Sequence, residues 1–77
     1  MDKELEDIKL VRKYFYRALE DHNYDFTRAL FWALNHFNQY RYQPQREAFK
    51  RLSSLEKNRI MAEAAAIALG KMKSGAQ

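Results

Sequence analysis

The sequence predicts an all-α fold, a small bundle of three or four helices, on three observations. Glycine is confined to Gly70 and Gly75, and Pro44 is the single proline. No β-branched run alternates with polar residues. Apolar residues instead recur at spacings of three and four, the period of one helix face. A chain of 77 residues holds one domain. We assign residues 1–73 to it and expect residues 74–77 to fray as a tail.

The first helix is expected over about residues 2–21. Leu5, Ile8, Val11, Phe15, Ala18, Leu19 and His22 fall on one stripe, with Leu10, Tyr14 and Arg17 beside it. Asp2, Glu4, Glu6 and Asp7 crowd the opening turns, where the helix macrodipole favours negative charge. Asp25 is a suitable N-cap for a second helix over residues 26–39. Its core stripe is Phe26, Ala29, Leu30, Ala33, Phe37 and Tyr40, with Phe31 and Trp32 on the two shoulders.

Pro44 suits the first turn of a third helix, where its missing N–H costs nothing. That helix is expected over residues 44–52. Extending it straight sends Leu55 and Ile60 off the Phe49–Leu52 direction. Ser53 and Glu56 stand at capping-box spacing, so a fresh helix is expected over residues 54–73. A single kinked helix over 44–73 is the alternative. The expected core is Phe15, Leu19, Phe26, Leu30, Phe37, Phe49 and Leu52.

Several function classes find no residues to carry them. The chain has no cysteine, hence no disulfide and no thiolate metal site. His22 and His36 are isolated, with no His-Glu-x-x-His or Glu-x-x-His pattern around them. Thr27, Ser53 and Ser54 sit where caps and helix surfaces are expected. Glu6–Asp7 and Glu20–Asp21 are adjacent pairs that diverge on a helix. No glycine-rich phosphate loop is present. The expectation is therefore a non-enzyme without metal or cofactor. No apolar run approaches the roughly 20 residues of a membrane span. The acidic start predicts neither a secretory signal nor a transit peptide, so a cytoplasmic location is expected.

Two features point to binding. The first is the breadth of the apolar helix surface. In the last helix Met61, Ala64, Ala65, Ala68 and Met72 line one side, with Ile60 and Ile67 at one margin and Leu69 at the other. Glu56, Arg59, Glu63 and Gly70 form its polar strip. Closely spaced alanines let helices approach, and methionines fill uneven gaps. Phe31, Trp32, Ile60, Met61, Ala64, Ala65, Ala68 and Met72 are thus the expected protein interface. Its expected partners are a second copy of the chain, making a homodimer, and an unidentified larger protein. An adaptor or inhibitor of bacterial or phage origin fits that description. The competing expectation is that these helices are simply central in the monomer's own core.

The second feature is charge. The net charge is +4, but residues 1–25 sum to −2, residues 26–59 to +5 and residues 60–77 to +1. Tyr40, Arg41, Tyr42, Arg46, Lys50 and Arg51 combine guanidinium and ammonium groups for phosphates with rings that can stack on bases. Nucleic-acid contact through this segment is the alternative function. Phe15–Tyr16–Arg17 is similar to the tripeptide of mitochondrial LYR proteins without its leading leucine. Ala18 to Leu34 is similar to the last two helices of ubiquitin-associated domains without their glycine-containing first loop. Neither similarity extends far enough to assign residues.

Overall fold

Four α-helices and one 3-10 turn follow one another in the computed structural model, which describes residues 2–75. They are α1 (Asp2–Asp21), α2 (Phe26–His36), the 3-10 turn (Tyr40–Tyr42), α3 (Gln43–Arg51) and α4 (Ser54–Gly75). The all-α bundle is as the sequence predicts. Ser74 and Gly75, expected in the frayed tail, continue α4, whereas residues 76–77 lie outside the described part.

Helix α1 is the hub. It packs most extensively on α2 and α3 and more lightly on α4. Val11, Phe15, Ala18 and Leu19 are buried along its stripe, and Tyr14, expected on the flank, is buried too. Leu5, at the start of the same stripe, is exposed. The Tyr14 hydroxyl donates to the Ala33 carbonyl of α2 at 2.6 Å. Its ring stacks on Phe37 at 5.0 Å and meets Phe15 edge-on at 5.3 Å. Such ring pairs add roughly 0.5–1.5 kcal/mol each beyond their area.

A Schellman cap ends α1. The Tyr24 amide donates to the Leu19 carbonyl at 2.7 Å and the Asn23 amide to the Glu20 carbonyl at 3.3 Å. Asn23 and Tyr24 both take left-handed backbone, with φ of 56° and 62°. Asparagine tolerates that region better than most residues, whereas tyrosine has no such allowance. Asp25 then caps α2, its carboxylate accepting from the Arg28 amide at 3.3 Å and the Thr27 hydroxyl at 3.0 Å.

Helix α2 ends at His36, three residues before the expected Gln39. Gln39 is extended, with ψ of 142°, and starts the 3-10 turn. The turn brings Tyr42 back onto the rings of Tyr14 and Trp32, at 5.3 and 5.8 Å. Aromatic packing thus overrides a helical continuation that local propensity would allow. Tyr40, expected on the core stripe, is exposed instead.

Leu52 separates α3 from α4. Its ψ of 148° is extended, so residues 44–73 form two helices and not one kinked helix. Its side chain is buried. The Ser53 hydroxyl accepts from the Glu56 amide at 3.2 Å, the N-cap that the capping-box spacing predicts. Of the expected core, Phe15, Leu19, Phe37 and Leu52 are buried, while Phe26, Leu30 and Phe49 are half-buried against it.

The molecule measures 40 × 25 × 16 Å. Its radius of gyration is 12.7 Å, against about 11.5 Å expected for a compact domain of this length. Its shortest dimension is about one and a half helix diameters. A slab so thin cannot cover both faces of every helix.

Asn23→Gly removes a left-handed strain without touching a packed side chain. Chemical denaturation should show a gain of up to about 1 kcal/mol. Tyr14→Phe should lose about 0.5–1.5 kcal/mol near neutral pH, one buried hydrogen bond.

Candidate interaction surface

The surface is built on α4, so the contacts that orient this helix come first. Ile60, Ala64 and Ala68, one turn apart, are buried against the rest of the bundle. Glu63 accepts from Arg12 of α1 at 3.2 Å and from the Tyr16 hydroxyl at 3.1 Å. Burial and the hydrogen bond to Glu63 both push the Tyr16 phenol up. Near the other end, Lys71 lies over the Tyr24 ring at 5.2 Å. These contacts fix the rotation of α4 about its axis.

With that rotation fixed, the opposite face points outward. At 100° per residue, Leu55, Ala62, Ala66 and Leu69 lie within about 40° of the direction opposite Ala64. Leu55 is 62% exposed, Leu69 61% and Met72, on the margin, 52%. Ala62 and Ala66 are exposed as well, and Ala65 is half-buried. Asn58 and Arg59 are polar residues beside them, the Arg59 guanidinium held by Glu56 at 3.2 Å. Helix α4 therefore carries a second apolar line outside the bundle, bordered by Arg59, besides the one buried inside. A shallow cavity of about 640 Å³, bordered by Asn23, Tyr24, Lys71 and Met72, continues this face toward the α1–α2 turn.

The structure divides the residues named from sequence between the core and the surface. Ile60, Ala64 and Ala68 belong to the monomer's own core and are closed to a partner in this fold. Met61 is half-buried on that core, leaving Ala65 and Met72 as the members of α4 nearest the outside. Leu55, Ala62, Ala66 and Leu69 lie on the outer face and were not expected there. The polar strip of the last helix holds Glu63, which makes a contact with α1. That contact rotates the helix relative to the expectation.

On α2, Phe31 is 72% exposed and Leu34 also faces solvent. Trp32 is not a free indole. It stacks on His36 at 4.2 Å, meets Tyr42 edge-on at 5.8 Å, and has His22 5.9 Å away. The two histidines thus flank one indole. Each Nδ1–H donates to the carbonyl four residues back, His22 to Ala18 at 2.9 Å and His36 to Trp32 at 2.8 Å. A carbonyl can only accept, so Nδ1 carries the proton in both rings.

The basic segment is largely committed within the molecule. Arg51 makes a two-pronged ion pair with Asp7 of α1, both contacts at 2.9 Å. The Asp7 carboxylate is buried, and the hydrogen bonds from Arg51 hold it below the usual carboxylate range. Glu47 lies 3.6 Å from Arg46 and 3.8 Å from Lys50. Arg41 sits 5.2 Å from the Tyr42 ring, and that ring belongs to the aromatic cluster. Tyr40 is 88% exposed. Lys13, Arg17, Trp32, Arg41, Tyr42 and Gln45 are among the residues bordering a half-open cleft of about 570 Å³ between α1 and the 3-10 turn.

Among the described residues no helix is long and apolar enough to cross a membrane. The described residues form a small four-helix bundle with an exposed apolar line on its last helix. No protein-family model matches the chain, and no curated protein or solved structure matches it either.

Two pH dependences follow from these contacts. Asp7 titrates lower in the folded chain than in the unfolded one. The stability it contributes is full above its ordinary value of 3.8 and is lost as pH falls through the folded value. Arg51→Ala should lower the denaturation midpoint at neutral pH, and its gap to wild type should close in strong acid. Burial, followed by the neighbouring Tyr42, pushes the Tyr14 phenol up from 10.0 to about 12. Between those values the unfolded chain has released a proton that the folded chain keeps, so stability falls. Denaturation curves across that window should fall more steeply for wild type than for Tyr14→Phe.

Proposed function

We propose that this chain is a non-catalytic helical interaction module, acting as an adaptor or inhibitor of another protein through the outer face of α4. The observation that carries the reading is the exposure of Leu55, Ala62, Leu69 and Met72 along one line of a helix already anchored on its other side. Contiguous exposed apolar patches on small proteins mark interaction sites. An amphipathic helix laid along the face is the natural complement, because alanines in its middle allow close approach.

Contact with nucleic acid through the segment from Tyr40 to Arg51 has less support. Arg51 is tied to Asp7, Arg46 and Lys50 share Glu47, and the Tyr42 ring is packed. Phosphate binding would have to break or outcompete these pairs.

The test is recovery of bound protein from cells expressing a tagged chain, with wild type and Leu69→Lys compared. Position 69 is exposed, so the substitution should leave helical circular dichroism unchanged and stability within about 0.5 kcal/mol. A protein retained by wild type and lost with Leu69→Lys is the expected result. Equal recovery by both would exclude this face as the working surface.

A further inference from the structure

We infer that the outer face of α4 pairs with the same face of a second copy of this chain, the two helices crossing near Ala62 and Ala65. The inference rests on the reading above and names the occupant.

Its first support is spacing. Leu55, Asn58, Ala62, Ala65, Leu69 and Met72 follow one another at steps of three, four, three, four and three. That alternation keeps a single seam turned toward a partner helix over several turns. The buried line through Ile60, Ala64 and Ala68 advances by fours alone, so the seam is a separate pattern and not the edge of the core stripe.

The second support is the order of sizes. Small side chains occupy the middle of the seam and large ones its ends. Two helices crossing at about 20° are closest at the crossing point and diverge from it. Alanines at the centre permit the approach, and Leu55, Leu69 and Met72 fill the widening gaps. A two-fold contact requires a patch that complements itself, each residue meeting its counterpart reciprocally. A seam whose sizes are symmetric about its own midpoint satisfies that condition.

Charge is the third. Two copies each carrying +4 repel, yet none of the six seam residues is charged. Glu63 is turned toward α1 by Arg12 and Tyr16, and Arg59 is paired with Glu56 at 3.2 Å. Self-pairing therefore buries no unpaired like charge. The seam spans about 26 Å at a width near 10 Å. That places the contact at the small end of specific interfaces, below about 1,200 Å² in total, so the dimer is weak and concentration-dependent.

Sedimentation velocity of the full chain from about 5 to 500 μM covers that regime. Wild type should pass from the 9.2 kDa monomer toward twice that mass as concentration rises. Ala62→Glu and Leu69→Lys should stay monomeric throughout with unchanged helical circular dichroism. Ala62→Cys should form a disulfide-linked dimer under mild oxidation, whereas Thr27→Cys, exposed on α2, should not. A wild type monomeric at every concentration overturns the inference, as does a dimer that both substitutions leave intact. If wild type is monomeric but Leu69→Lys still abolishes recovery of a different protein, the second-copy occupant fails while the interaction-module reading stands.

Discussion

One helix can be central in a bundle this small, and α1 holds that position. Its buried line from Val11 to Leu19 supplies the surface on which α2, α3 and α4 rest. Three polar contacts radiate from it and set register. Tyr14 bonds to the Ala33 carbonyl, Asp7 to Arg51 beside the α3–α4 junction, and Arg12 with Tyr16 to Glu63. Hydrophobic burial is non-directional, so without such contacts α4 could roll on the bundle. With them, one apolar line faces inward and the other outward.

That outward line is what supports the proposed function. A thin slab leaves α4 at its edge, where a helix would ordinarily be polar on the far side. Here Leu55, Ala62, Ala66 and Leu69 occupy that side. Leaving them in water forgoes roughly 25 cal/mol for each square ångström of apolar surface that a partner would cover. Hydrogen bonding, by contrast, draws the basic segment inward. Within the positive middle, Arg51 holds α3 to α1, and Arg46 and Lys50 face Glu47.

Much of the fold is legible in the residues. The span of α1, the cap at Asp25, the role of Pro44 and the break at Leu52 with Ser53 as the next cap all follow from local chemistry. The end of α2 does not, because it depends on Tyr42 returning to Trp32 and Tyr14 through contacts distant in sequence. The proposed surface is half legible. An excess of apolar surface on the last helix is evident from its composition, and Met72 and Phe31 lie on exposed ground. Which stripe of α4 faces inward is not, since alanines line both sides and periodicity alone cannot rank them. The missing datum was the partnership of Glu63 with Arg12 and Tyr16. A polar residue flanking a core stripe looks the same in sequence whether it meets water or a neighbouring helix.

Helix α4 has two apolar lines of different status, one closed within the molecule and one exposed. Methyl NMR spectra recorded across a dilution series measure the two sides separately. Signals from Leu55, Ala62 and Leu69 should move with concentration, while those from Ile60, Ala64 and Ala68 stay fixed. Movement of the second set with the first unmoved would mean that α4 is rotated from the position described here, and the account would be wrong.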